Sequence, residues 1–327
     1  MDDTTRSSCS RSPVPAEILS AIPLFLGYPP TDSLVCLFFD PEGRMVLSSR
    51  LDWQACRADP ETVVRTLSER ASSGGARSVF IVEVDTPAPD PATLVALALQ
   101  FLMAGIGVEW AGRSAAGSWQ GLDCDPRCPP HPVDPHSAMV VELVTRGWSA
   151  VPDRDCLIGE VAAADPIADL GPALAPGPDL EAWRDAAIDE LTVLLQTDRP
   201  LTADDIDLVA RVCRDIRARD VVLWRLECTP AGRAVTRARR WQVFATTLRR
   251  APADAVAPVA AVAALMAWQA GEGTRATACL DRARAADPGH SLSGLIRSCL
   301  DQAVSPSVWL ASLSSLDEDT CRHGAAD

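Results

Sequence analysis

Lysine and asparagine are absent from the 327 residues, and all 30 basic side chains are arginine. Without an ε-ammonium the chain cannot form a lysine Schiff base, supply a P-loop lysine or place a kinase-type strand lysine. Without asparagine it holds no N-glycosylation acceptor. The patterns G-x-G-x-x-G, G-x-x-x-x-G-K-S/T, G-x-S-x-G and H-E-x-x-H do not occur, which removes the usual dinucleotide, nucleotide, hydrolase and metalloprotease signatures. Only four histidines are present, so a triad has few candidates for its base. Long apolar runs are also missing. The two longest uncharged runs, 91–108 and 255–271, are broken by glycine, proline or glutamine. Neither reaches the roughly 18–20 clearly apolar residues of a membrane span, and both read as buried helices. The acidic start Met1-Asp2-Asp3 is unlike a signal peptide, so a cytoplasmic location with no membrane partner is expected.

What is present is acidic and rich in thiols. The formal charge is -14, which argues against a general nucleic-acid binder, since phosphate affinity comes from positive surfaces. Eleven cysteines, an odd number, are spread from Cys9 to Cys321. Several sit in apolar runs where a thiol packs as a small hydrophobe, and a reducing compartment is expected.

Along the chain, residues 1–14 read as a disordered N-terminus and 15–164 as an α/β sandwich domain. A short helix over Ala16–Ile22, interrupted at Pro23, precedes a hairpin of Ser33–Phe39 and Met45–Leu51. Helices over Pro60–Ala71 and Pro91–Ala104 flank a strand at Ser78–Val84. A second hairpin joins Val108–Ala111 to Ser118–Leu122. The stretch 165–177, rich in Pro, Gly and Asp, is the expected linker. Residues 178–316 show only helical periodicity, with 230–249 reading as one helix, and 317–327 read as a flexible tail. The fold class is therefore α+β: an N-terminal α/β domain followed by an all-α domain. Within the latter, Ala264, Gly271, Ala276, Leu280, Ala283 and Pro288 have the spacing of a single tetratricopeptide-like hairpin.

The segments Glu17 to Val35, Cys124-Asp125-Pro126-Arg127-Cys128-Pro129-Pro130, and Ala267-Trp268-Gln269-Ala270-Gly271 through Asp287-Pro288-Gly289-His290 appear in order. Together they resemble the actinobacterial domain-of-unknown-function family four-one-nine-two over about residues 15–305. That family often doubles the second cysteine, where this chain has Arg127-Cys128. The resemblance implies the architecture and brings no activity. It also suits a high-GC genome, which accounts for the missing lysine by composition.

Four constellations are candidates for chemistry. Cys124, Cys128, His131 and His136 are zinc-type ligands within 13 residues, but five prolines stiffen the loop, and a rigid loop with incidental thiols and imidazoles is the blander alternative; a redox role for Cys124 and Cys128 is a further one, with no lysine at hand to activate a thiol. Glu83 and Asp85 lie two apart at a strand end, where they would share one face and could hold a divalent ion or act as acid and base. Their alternative is a solvated strand end. Tyr28 and Asp32 flank the turn into a strand, with core packing the simpler role for Tyr28. Residues 211–250 carry +8 while the rest carries -22; Arg233, Arg237 and Arg240, with Trp241 and Phe244, could present a face to an acidic partner or pair with the chain's own carboxylates. No cofactor, metal or catalytic residue is assigned from the sequence. The leading expectation is a non-enzymatic interaction or regulatory protein with protein partners. The alternative is a small-molecule-binding or hydrolytic α/β enzyme.

Overall fold

The computed structural model describes residues 13–125, 127–167 and 175–324. Most of the N-terminal segment read as disordered, and residues 168–174 of the Pro/Gly/Asp-rich linker, lie outside the described residues. The chain divides into two compact units, residues 1–154 and 155–327. The first is α/β and the second helical, so the fold is α+β.

The first unit is a six-stranded mixed sheet in the order β2-β1-β3-β4-β5-β6. Its strands are β1 Ser33–Phe39, β2 Met45–Asp52, β3 Ser78–Val84, β4 Gly107–Ala115, β5 Ser118–Gly121 and β6 His131–Pro132. Among the described strands only β3 and β4 run parallel. Alternation sends Leu34, Cys36, Phe38, Val79 and Ile81 to one face, where they bury against Trp53 and Cys56 of α2 (Trp53–Ala58), Leu67 of α3 (Pro60–Ser73), and Leu94, Leu97 and Phe101 of α4 (Pro91–Met103). Asp52, Asp59 and Asp90 cap these helices by accepting backbone N–H bonds. The opposite face is flanked by α1 (Pro13–Leu26), which packs on α5 (Ala138–Thr145).

Several sequence expectations change. Pro23 does not interrupt α1. Its missing N–H costs one hydrogen bond, and the burial of Leu19, Ala21, Ile22 and Leu26 on both sides holds the helix across it. The α4 run is not buried all round: Leu94, Leu97 and Phe101 face the core, whereas Val95, Leu99, Leu102 and Met103 are exposed, Met103 by 80%. The short elements α2 and β6 were too brief to show periodicity.

The second unit begins within α6 Arg154–Gly159 and contains α7 Pro178–Gln196, α8 Ala203–Arg214, α9 Ile216–Cys228, α10 Pro230–Arg233, α11 Arg237–Arg250, α12 Val256–Gln269, α13 Gly273–Ala286, α14 Ser291–Asp301, α15 Pro306–Ser314 and α16 Glu318–His323. α12 is its axis. Every residue from Val259 to Trp268 is buried, as expected of a helix apolar all round, and α8, α11, α13 and α14 surround it. The stretch 230–249 is two helices: Thr236 accepts the Arg239 N–H and restarts the chain as α11. Residues 317–327, read as tail, hold α16, which packs on α9.

Candidate functional site

Since β3 and β4 are parallel, their carboxyl ends lie side by side, where α/β sheets commonly place ligands. Glu83 sits there on the same face as Ile81, with Leu34 and Arg113 beside it in register. It is 1% exposed. Its Oε1 accepts the Thr86 hydroxyl, and its Oε2 is buried without a partner. Asp85, expected to share that face, instead takes a left-handed φ of 43°. Its Oδ1 accepts the Ala116 N–H at 2.9 Å and its own N–H bonds Ser114 O at 2.9 Å. Asp32 (φ 46°) donates its N–H to Asp85 O at 3.3 Å. The expected carboxylate pair is thus split: Asp85 pins the β4–β5 turn, while Glu83 stays buried with an open oxygen. Among the described residues no three His, Cys, Asp or Glu side chains gather as a metal set. Tyr28 is buried.

On the face turned away from α2–α4, the sheet carries an aromatic run that periodicity does not reveal, from Phe80 near the amino end of β3 to Trp119 opposite Ser114. Phe80 and Trp110 are cross-strand neighbours, and their rings stack at 4.6 Å and 19°. Trp119 meets Trp110 edge-on at 5.8 Å, and His131 of β6 lies over Trp119 at 4.5 Å. Gly112 makes room for this: a Cβ there would fall 2.3 Å from Trp110 Cη2. The rings line a cleft of about 690 Å³ that also includes Arg77, Glu109 and Asp123. That volume lies in the usual range for small-molecule pockets. The available signal was one aromatic in each of three strands, Phe80, Trp110 and Trp119, but only strand pairing joins them.

The Cys/His loop borders this cleft, and Cys124 lines it. Pairing of β6 with β5 sets His131 opposite Trp119. A turn in which the Cys128 N–H bonds Asp125 O at 2.8 Å then brings Cys128 Sγ to 3.6 Å from His131 Nε2. His136 is exposed, its N–H bonded to Asp134 Oδ1. The loop therefore brings the Cys128 thiol to the His131 imidazole, and His136 stands apart.

In the second unit several arginines of 211–250 bind the chain's own carboxylates and carbonyls. Arg240 pairs with Glu227 and donates to the carbonyls of Leu226 and Gly232. Arg225 binds Asp189 and Glu318, and Arg239 bonds the carbonyls of Leu194 and Arg199. Arg233 and Arg237 reach the carbonyls of Glu227, Cys228 and Ala270. Phe244 is core, and Trp241 lies under the Arg275 guanidinium at 5.4 Å. Helix C-terminal carbonyls are natural sites for a guanidinium.

The family described as Domain of unknown function (DUF4192) matches residues 15–307. No curated protein and no solved structure matches the chain.

Proposed function

The chain belongs to the DUF4192 family, and from that starting point we propose that it is a non-enzymatic regulatory or interaction protein whose α/β unit binds a small molecule in the aromatic cleft. The observation that carries this reading is the Phe80–Trp110–Trp119 run along the cleft wall. Aromatic faces favour flat rings by stacking and organic cations by quadrupole attraction, and Glu109 and Asp123 favour the cations further. The helical unit is the part proposed to meet a protein partner, with the α12–α13 hairpin as a tetratricopeptide-like element. A cytoplasmic, actinobacterial setting belongs to the same reading.

The test is a thermal-shift and tryptophan-fluorescence screen with nucleosides, aromatic amines and quaternary ammonium compounds. At least one should raise the melting temperature by mass action. Trp110→Ala should weaken it about tenfold or more, the scale of one aromatic contact. A screen in which no compound shifts the wild-type protein overturns the reading.

A second reading, acid–base chemistry at Glu83, is favoured by the buried, unpartnered Oε2 at the strand end. It requires that Glu83→Gln abolish a hydrolytic activity that Trp110→Ala retains.

A further inference from the structure

We propose that Cys128 is a nucleophilic thiol site, with His131 as its base, that exchanges with low-molecular-weight disulfides. The pair is built by the fold. His131 is held in β6 by pairing with Trp119 and by the ring contact at 4.5 Å. Val133 donates its N–H to Gly117 O at 2.9 Å, which continues the pairing past His131. On the thiol side, Asp125 caps the turn by accepting the N–H of Arg127 and, through its carbonyl, that of Cys128, each at 2.8 Å. Gln120 Nε2 also reaches Cys128 O at 3.4 Å. Two independently fixed residues thus meet with Sγ and Nε2 3.6 Å apart, within sulfur hydrogen-bond reach. That is the arrangement by which a neighbouring imidazole activates a cysteine. Both side chains are half-buried, so a small reagent can reach them.

The step balances as an exchange. Nε2 takes the Sγ proton, the thiolate attacks one sulfur of R–S–S–R, and the S–S bond breaks as the Sγ–S bond forms. The departing R–S⁻ takes the proton from the imidazolium. Cys128 is oxidised to the mixed disulfide as one R–S group is reduced to the thiol. Cys56, Cys213 and Cys279 make the contrast. They are buried, and burial pushes their thiols up to about 12, so they serve as unreactive internal controls.

The experiment treats the full chain with oxidised glutathione and follows each cysteine by peptide mass mapping. The mixed disulfide is expected at Cys128, formed about tenfold or more faster than in His131→Gln, since a positioned base is commonly worth at least that much. Cys128→Ser should remove the adduct at that position. An unmodified Cys128, or equal rates with and without the imidazole, overturns the proposal. Should His131→Gln disturb the loop, iodoacetamide alkylation of the wild-type protein decides: a Cys128 rate about tenfold or more above that of Cys156, an exposed thiol, supports the pair, and an equal or lower rate rejects it.

Discussion

The indole of Trp110 lies against the bare Cα of Gly112, two residues along the same strand. A methyl group there would sit 2.3 and 2.4 Å from Cη2 and Cζ2, and 2.5 Å from Gln120 O. Gly112→Ala should therefore displace the ring from Phe80, costing about 1–3 kcal/mol as an overpacked site. Thermal unfolding and the tryptophan emission spectrum report it: the melting temperature should fall and the emission should change. An unchanged melting curve would show that the strand absorbs the methyl group.

Arg275 is buried and forked. It bonds both carboxylate oxygens of Glu160, at 2.7 and 3.0 Å, and Glu272 at 2.8 Å. Burial already pushes the Glu272 carboxyl up, with Arg275 opposing it. Arg275→Leu leaves two carboxylates without their cation and should cost about 3–5 kcal/mol. Arg275→Lys keeps the charge but loses the planar fork, so it should fall between wild type and Leu in urea denaturation.

Asp205 closes a capping box with Thr202 and takes two bonds from Arg199. The Arg199 guanidinium, with the Thr202 bonds, holds its carboxyl well below the usual carboxylate range. A carboxyl depressed on folding contributes stability that is complete above its unfolded value, near pH 4, and that is lost as pH falls through that value toward the folded one. Asp205→Asn should cost about 1–2 kcal/mol at pH 7, the worth of a cap with a charged bond. Its deficit relative to wild type should shrink between about pH 4 and pH 2, measured by urea unfolding at each pH.

The two sides of α4 should respond differently. Leu97 is fully buried and Leu99 is 55% exposed. Leu97→Ala should cost about 2–5 kcal/mol, whereas Leu99→Gln should stay within about 0.5 kcal/mol. Similar losses at both positions would mean that α4 is covered on both sides.

Local chemistry made much of the fold legible. β1 and β3 follow from short β-rich runs, and Asp59 and Asp90 followed by proline mark the starts of α3 and α4. Val259–Trp268 has too little polarity to be anything but a core helix. The failures have specific causes. Pro23 reads as a stop, yet packing of Ile22 and Leu26 outweighs one missing bond. The α4 run has no charged residue to mark its outer side. The split at Thr236 depends on a cap inside an otherwise helical stretch. For the site, Glu83 was visible as a carboxylate at a strand end. Asp85 was not separable from it, because its left-handed turn arises from bonds to Ser114 and Ala116, some thirty residues away.

Composition and periodicity determined what depends on neighbours in the chain: the α+β class, the change from mixed to purely helical structure, and the reactions excluded by missing lysine. Tertiary structure decided what depends on distant residues. Strand pairing stacked Phe80 on Trp110, and β5–β6 pairing with one turn joined Cys128 to His131 while leaving His136 apart. Helix crossings turned Arg225, Arg239 and Arg240 of a +8 segment onto carbonyls and carboxylates. The physical reason is common to all three. Periodicity records which face of an element a residue occupies, but only the register between elements decides what that face meets.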